Sequence, residues 1–144
     1  MADILQEFAI KAPRERVFEA IATPMGLDRW WTKSATGEAK QNAEYGLSFG
    51  PGHEWRGKVT RYASGSAFEL QITQADPDWM GTRVGFHLDP QSDGATRVRF
   101  FHTGWPEDNA HWRISCYCWA MYLRLLRRYL EHGEIVPYEK RLDV

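Results

Sequence analysis

Two ways of holding or placing a protein are missing from this chain: covalent cross-links and membrane spans. Among its 144 residues are only two cysteines, Cys116 and Cys118. Two positions apart on a helix, they face about 200° away from each other, so they neither pair nor share a metal. No apolar run approaches the roughly 18 residues that span a bilayer. The opening "MADILQEFAI" has neither the basic region nor the apolar stretch of a secretory leader. An excess of one charge sign is missing too. Eighteen Lys and Arg against nineteen Asp and Glu leave a formal net charge of -1, without the basic footprint of a nucleic-acid binder or any pull toward an anionic membrane. Local runs such as Arg124, Arg127 and Arg128 read as a solvated helix face. These absences predict a cytoplasmic protein with reduced thiols, with no nucleic acid and no membrane among its partners.

Catalytic signatures are missing as well. There is no nucleophile elbow, no phosphate-cradling loop and no zinc-protease motif. "GPGHEWRG" is glycine-rich but lacks the strand–loop–helix context and the lysine of a phosphate loop, and reads as a hairpin. His53, His87, His102, His111 and His132 show no metal-ligand spacing. No base accompanies either thiol. No inward carboxylate can be placed for acid–base work: Glu54, Arg56, Lys58 and Glu69 fall on a wet sheet face. No catalytic residue, metal or cofactor is therefore expected.

What the chain has in surplus is aromatic surface. Phe, Trp and Tyr make up 14% of it, with seven tryptophans. Such a surplus lines pockets and interfaces as well as cores. Trp30 and Trp31 are adjacent, in "MGLDRWWTKSA". Neighbours on a helix point about 100° apart, so both cannot bury on one narrow stripe. Either both pack, or one anchors while the other stands at the mouth of a pocket.

Periodicity orders the chain. In "DILQEFAIKAP", Ile4, Phe8 and Ile10 share one strand face. Pro13 opens a helix with Val17, Phe18 and Ile21 at helical spacing, and Thr23-Pro24 ends it. "MGLDRWW" is a second short helical turn. From residue 35 to about 103 the period changes to two. "ATGEA", "AEYGLSFG", "HEWRGKVTRY", "SAFELQITQA", "TRVGFHLDP" and "TRVRFFHTG" are six short strands separated by Gly, Pro, Asp and Ser turns. They form an antiparallel meander with one wet face. A long helix closes the chain, capped by Asp108 or Asn109 and stopped by Gly133. Trp112, Cys116, Trp119, Leu123, Leu126 and Leu130 make its apolar stripe.

Three stretches carry a family resemblance. "IKAPRERVFEAIATPMGLDRWW", "TRVRFFHTGW" and "WAMYLRLLRRYLEHGE" resemble, in order and separation, the domain family named after the activator of the heat-shock protein 90 ATPase. That family lies within the START-like (SRPBCC) superfamily. The resemblance implies one α+β helix-grip domain over residues 1–144: a curved antiparallel sheet wrapped around a long C-terminal helix, with two short helices after the first strand. It implies an apolar cavity between sheet and helix, of the kind in which superfamily members hold lipids, sterols or polyketides. Some members are cyclases or aromatases. The founding activators join this domain to a separate N-terminal domain that engages the chaperone.

The expected function is non-enzymatic binding of a small apolar or aromatic molecule. A co-chaperone that stimulates a heat-shock ATPase and a cyclase-like enzyme are the alternatives. The expected lining draws on Trp30, Trp31, Phe49, Trp55, Phe68 and Phe86 from the first helices and the sheet. It draws on His102 and Trp105 from the last strand, and on Trp112, Cys116 and Trp119 from the long helix. By strand parity His102 points inward with Val98 and Phe100. It is either a satisfied core histidine or a polar fixing point for a ligand. The tail "IVPYEKRLDV" packs on its own domain or on a partner, and a monomer and a homodimer are both open.

Overall fold

The computed structural model describes all residues 1–144. The chain runs β1 (Ala2–Ile10), α1 (Arg14–Ala22), α2 (Pro24–Asp28), β2 (Ser34–Thr36), β3 (Glu44–Ser48), β4 (Glu54–Ala63), β5 (Ala67–Gln74), β6 (Arg83–Pro90), β7 (Thr96–Trp105) and α3 (Ala110–His132). A 3-10 helix over Tyr138–Asp143 ends it. The order matches the helix-grip expectation. Strands β2 to β7 form a meander, and α1 and α2 carry the chain from β1 across to β2. The result is one seven-stranded sheet in the order β1-β7-β6-β5-β4-β3-β2, antiparallel throughout. Register shifts at Arg56/Gly57 and Val59/Arg61 bend β4 against β5, the local effect of a bulge.

The alternation read from the sequence sets the inner face. Tyr45, Leu47, Val59, Phe68, Leu70, Ile72, Val84, Phe86, Leu88, Val98, Phe100 and His102 are all buried. Trp119, Leu123, Leu126 and Leu130 of α3 join the same core. Trp112 and Cys116, expected on that stripe, are half-buried at its N-terminal end. Asn109, the second of the two expected caps, accepts from Trp112 N–H at 2.9 Å. Gly133 ends α3 at φ 70° and donates to Tyr129 O, a left-handed stop that glycine takes without Cβ strain. No helix is long and apolar enough to cross a membrane.

Three local expectations are corrected. Pro13 is the N-cap of α1, not its first helical residue. Trp30 and Trp31 lie beyond α2, in a turn where the N–H groups of Trp30, Trp31 and Thr32 all converge on Leu27 O. The 100° rule of a helix does not bind them there. Glu69 is on the outer face, yet its side chain is only 16% exposed. Thr60 donates to it at 2.6 Å and Arg83 at 2.9 Å, so it is a linked carboxylate within the wet face.

Thr23 does two jobs at the α1–α2 junction. Its hydroxyl donates to Glu19 O at 2.8 Å and accepts from Gly26 N–H at 3.0 Å. The two helices then cross so closely that a Cβ at Gly26 would meet Glu19 O and come within 2.7 Å of Ala20 Cα. These are backbone atoms, which cannot rotate away. Gly26→Ala should therefore destabilise the protein by about 1–3 kcal/mol, the usual range for overpacking. Urea unfolding followed by tryptophan fluorescence measures it. An unchanged midpoint would mean that the α1–α2 crossing is not a rigid part of the fold.

Candidate functional site

The two adjacent tryptophans have separate tasks. Trp30 is fully buried, and its indole donates to Ala20 O of α1 at 2.9 Å. It is the anchor. Trp31 is 4% exposed, and its ring packs on Trp119 at 5.1 Å and on Phe49 at 5.4 Å. It thus lies behind Phe49 and is not a ring at a pocket mouth. The half-buried rings on that side are Phe49 and Trp55, 5.2 Å apart.

The turn that carries both tryptophans is held from outside by the C-terminal tail. Arg141 is 3% exposed and donates to Asp28 O at 2.7 Å, Thr32 O at 3.2 Å and Val136 O at 3.0 Å. Tyr138 donates to Phe49 O at 3.0 Å. The tail therefore packs on its own domain and clamps the elements that bear Trp31 and Phe49. Nothing in its composition distinguished Arg141 from a solvated arginine.

His102 sits at the centre of a closed hydrogen-bond chain. Thr82 donates its hydroxyl to Trp79 O at 2.6 Å. Its oxygen can then accept from His102 Nε2, 2.9 Å away. That places the ring proton on Nε2 and leaves Nδ1 as the acceptor for the Trp119 indole at 3.1 Å. Both nitrogens are thereby used within the protein, in the manner of a satisfied core histidine. Burial, with a smaller contribution from His111, pushes the His102 pKa down to about 3. The imidazole is neutral.

Around it the rings interlock. Trp79 meets His102 at 4.5 Å, Trp55 at 4.8 Å and Trp105 at 6.0 Å. Trp119 meets Phe100 at 4.6 Å, and Phe100 meets Phe86 at 5.2 Å. Where an open cavity is expected, side chains fill the space between sheet and α3. Five surface clefts, of about 170 to 540 Å³, are lined by none of Trp31, Trp79, His102, Trp105 and Trp119. Of the expected lining, Trp31, Phe49, Trp55, Phe86, His102, Trp105 and Trp119 are joined in this ring network. Trp30 enters it through Phe86 and through its neighbour Trp31, each at 6.1 Å. Phe68 pairs instead with Tyr45, and Trp112 and Cys116 lie outside the ring contacts.

Sequence reasoning missed Trp79. It stands in "DPDWMG", a stretch that reads as a turn, although a tryptophan inside a turn is itself a signal of burial. Asp78 beside it holds the turn to the start of α3, accepting from Asn109 at 3.3 Å and lying 3.0 Å from His111 Nδ1. Hydrogen bonding from His111, then from Asn109, lowers the Asp78 pKa. The indole N–H groups of Trp79, Trp105 and Trp112 are buried and have no acceptor in the protein. Such donors are rare in a folded core, because each costs about 1–3 kcal/mol. No group of three or more His, Cys, Asp or Glu side chains is placed to hold a metal.

Comparison with known proteins gives a consistent picture. The family model for activator of Hsp90 ATPase homolog 1-like proteins matches residues 11–131. The Aha1 dimer from Colwellia psychrerythraea is 30% identical with a TM-score of 0.82, over 93% of this chain and 99% of that one. A Bacillus halodurans protein is 26% identical with a TM-score of 0.75, over 91% and 98%. DynU16, from the dynemicin biosynthetic locus, shares the fold at 19% identity and a TM-score of 0.76, over 94% of this chain and 50% of its own. No curated protein sequence matches the chain.

The neutral His102 makes stability depend on pH. Its folded pKa, about 3, lies below its unfolded value of roughly 6.5, so between these values the unfolded chain binds more protons. Its contribution is complete above pH 6.5 and falls with acidification, by up to about 1.4 kcal/mol per pH unit. His102→Gln, which has an amide and no titration there, should flatten the slope between pH 6.5 and 5 relative to the parent. Urea unfolding across that range measures it. Equal slopes would show that His102 is not held neutral.

Proposed function

The chain belongs to the family of activator of Hsp90 ATPase homolog 1-like proteins, and from that premise we propose that it binds a small aromatic molecule bearing a hydrogen-bond acceptor. The molecule enters past the half-buried rings of Phe49 and Trp55 and lodges between sheet and α3 by pushing apart the side chains that fill that space in its absence. One observation carries the reading: the buried indole N–H groups of Trp79 and Trp105 lack an acceptor, and their rings lie within 4.5–4.9 Å of His102. A carbonyl or phenolic oxygen of the ligand supplies the acceptor and recovers about 1–3 kcal/mol for a donor that is otherwise unmet. The rings supply stacking of roughly 0.5–1.5 kcal/mol per pair beyond area burial. The polar handle expected at His102 is thus assigned to the two indoles.

The geometry supports binding over chemistry. A cyclase needs a side chain free to carry a proton at the ligand, and both His102 nitrogens face partners inside the protein. The dimeric relative from Colwellia psychrerythraea supports a homodimer over a monomer. A single domain over residues 1–144 and a cytoplasmic setting, where the free thiols Cys116 and Cys118 stay reduced, complete the proposal.

Titration with 1-tetralone and with tetralin, which lacks the carbonyl, tests it by tryptophan fluorescence and indole N–H NMR. The ketone should bind about 5- to 10-fold more tightly, equivalent to about 1–1.4 kcal/mol. It should shift the indole resonances of Trp79 and Trp105. Trp79→Phe should erase the preference while keeping tetralin affinity. No saturable response, or equal affinities with unmoved indole resonances, would overturn the reading.

A further inference from the structure

The sheet has two edges, and they differ. β2 is three residues long. β1 is nine residues long and pairs on one side only, with β7. Alternate backbone N–H and C=O groups of β1 therefore point outward without a strand partner. Proteins commonly blunt such an edge with a bulge, a proline or a covering element. Here the only register shift is at Ala2/Ile4, no other strand pairs with the edge, and α3 meets its far end, where Glu131 accepts from Lys11 N–H at 2.8 Å. Gln6 Nε2 reaches Cys116 O at 3.3 Å, tying strand to helix. Beside that tie runs a groove of about 170 Å³ with Phe8, Ala120 and Leu123 as its apolar part and Arg124 and Arg127 along it.

The two arginines are conspicuous for their lack of partners. Arg128 is paired with Glu134 at 2.5 Å, and Glu7, the one acidic residue lining the groove, lies 3.8 Å from Arg97. Arg124 and Arg127 have no carboxylate within 4.0 Å. On the outer face, Leu5 is 71% exposed beside the half-buried Phe101, its register partner. The edge thus offers cations toward α3 and an apolar strip on the opposite face.

We propose that β1 accepts an extended acidic segment of a partner protein as an added strand. Backbone pairing supplies the attachment. Alternate carboxylates turn toward Arg124 and Arg127, with their methylene stems over Phe8 and Leu123. The intervening side chains are β-branched and extend the Leu5–Phe101 strip. A second copy of β1 fits poorly. The residues of β1 that face α3 are Ile4, Gln6, Phe8 and Ile10, and none is acidic. Pairing two copies about Leu5 would also set Asp3 opposite Glu7, like against like.

The probe is a blocked eight-residue peptide of alternating Glu and Val, followed by backbone amide NMR of the whole protein. Saturable shifts along β1 are expected. Arg124→Gln with Arg127→Gln should weaken binding about tenfold, and added salt should do the same. A Lys-for-Glu peptide should not bind. Methylating the backbone nitrogens that face β1 should abolish binding, which separates strand addition from charge attraction alone. Silence along β1 at about 1 mM peptide overturns the proposal. So does equal binding of the Lys or N-methylated peptide. Concentration-dependent shifts along β1 without peptide would give the edge to a second copy and overturn it too. Each readout lies outside the ring network, so failure here is distinguishable from failure of aromatic-ligand binding.

Discussion

The neutral imidazole of His102 holds three parts of the molecule in one arrangement. Trp119 of α3 donates to it, it lies against Thr82 just ahead of β6, and Thr82 donates to the backbone of Trp79. Helix, sheet and the β5–β6 turn therefore share one chain of hydrogen bonds in a place that water barely reaches. The link to α3 depends on the histidine staying uncharged, because a second ring proton would occupy the Nδ1 acceptor that Trp119 needs. Desolvation enforces that neutrality. Leucines could bury as much area at this contact, but they would not fix the orientation of α3 over the sheet as a directional pair does.

Much of the architecture could be read along the chain because it rests on local patterns. Period-two alternation in "SAFELQITQA" and "TRVGFHLDP" places Phe68, Leu70, Val84 and Phe86 on one face, and the sheet buries them. Asn109 and Gly133 mark the ends of α3 as caps should. What could not be read depends on contacts between distant segments. Arg141 and Asp28 are separated by 113 positions, and no periodicity links them. Trp79 is hidden by its turn context. The filling of the interior is likewise a sum over side chains: Trp31, Trp79, Trp105 and Trp119 each fit an aromatic wall, and only their packing decides whether space is left between them.

The candidate binding site and the tail are mechanically joined. Tyr138 holds Phe49 O, and Arg141 holds the two carbonyls that bracket Trp30 and Trp31. The carbonyls of Asp28 and Thr32 are satisfied by one planar guanidinium, which suits a fork of fixed geometry better than an ammonium. A shift of the 3-10 helix would loosen Phe49 and Trp31 together, while Trp30 would keep its separate bond to α1. The adjacent tryptophans thus share one clamped turn but differ in their hold, Trp30 by a hydrogen bond to α1 and Trp31 by its packing on Phe49 and Trp119.

The same division runs through α3. Its inner stripe holds Trp119 and the leucines of the core, and its outer side carries Tyr117 at 78% exposure and Ile114 at 60%. Arg124 and Arg127 lie between two clefts, one against β1 and one running to Met121 and Val144. A helix meant only to cover a sheet would need no apolar residues on its outer side. Scattered exposed apolar residues are ordinary, but a row beside unpaired arginines combines burial with charge recognition, as partner-binding faces do. The inner face of α3 serves the aromatic interior, and its outer face leaves Ile114 and Tyr117 in the open beside a cleft lined by Arg124 and Arg127. The two faces differ in freedom as well as in chemistry, because on the inner one Trp119 cannot turn without giving up its acceptor on His102.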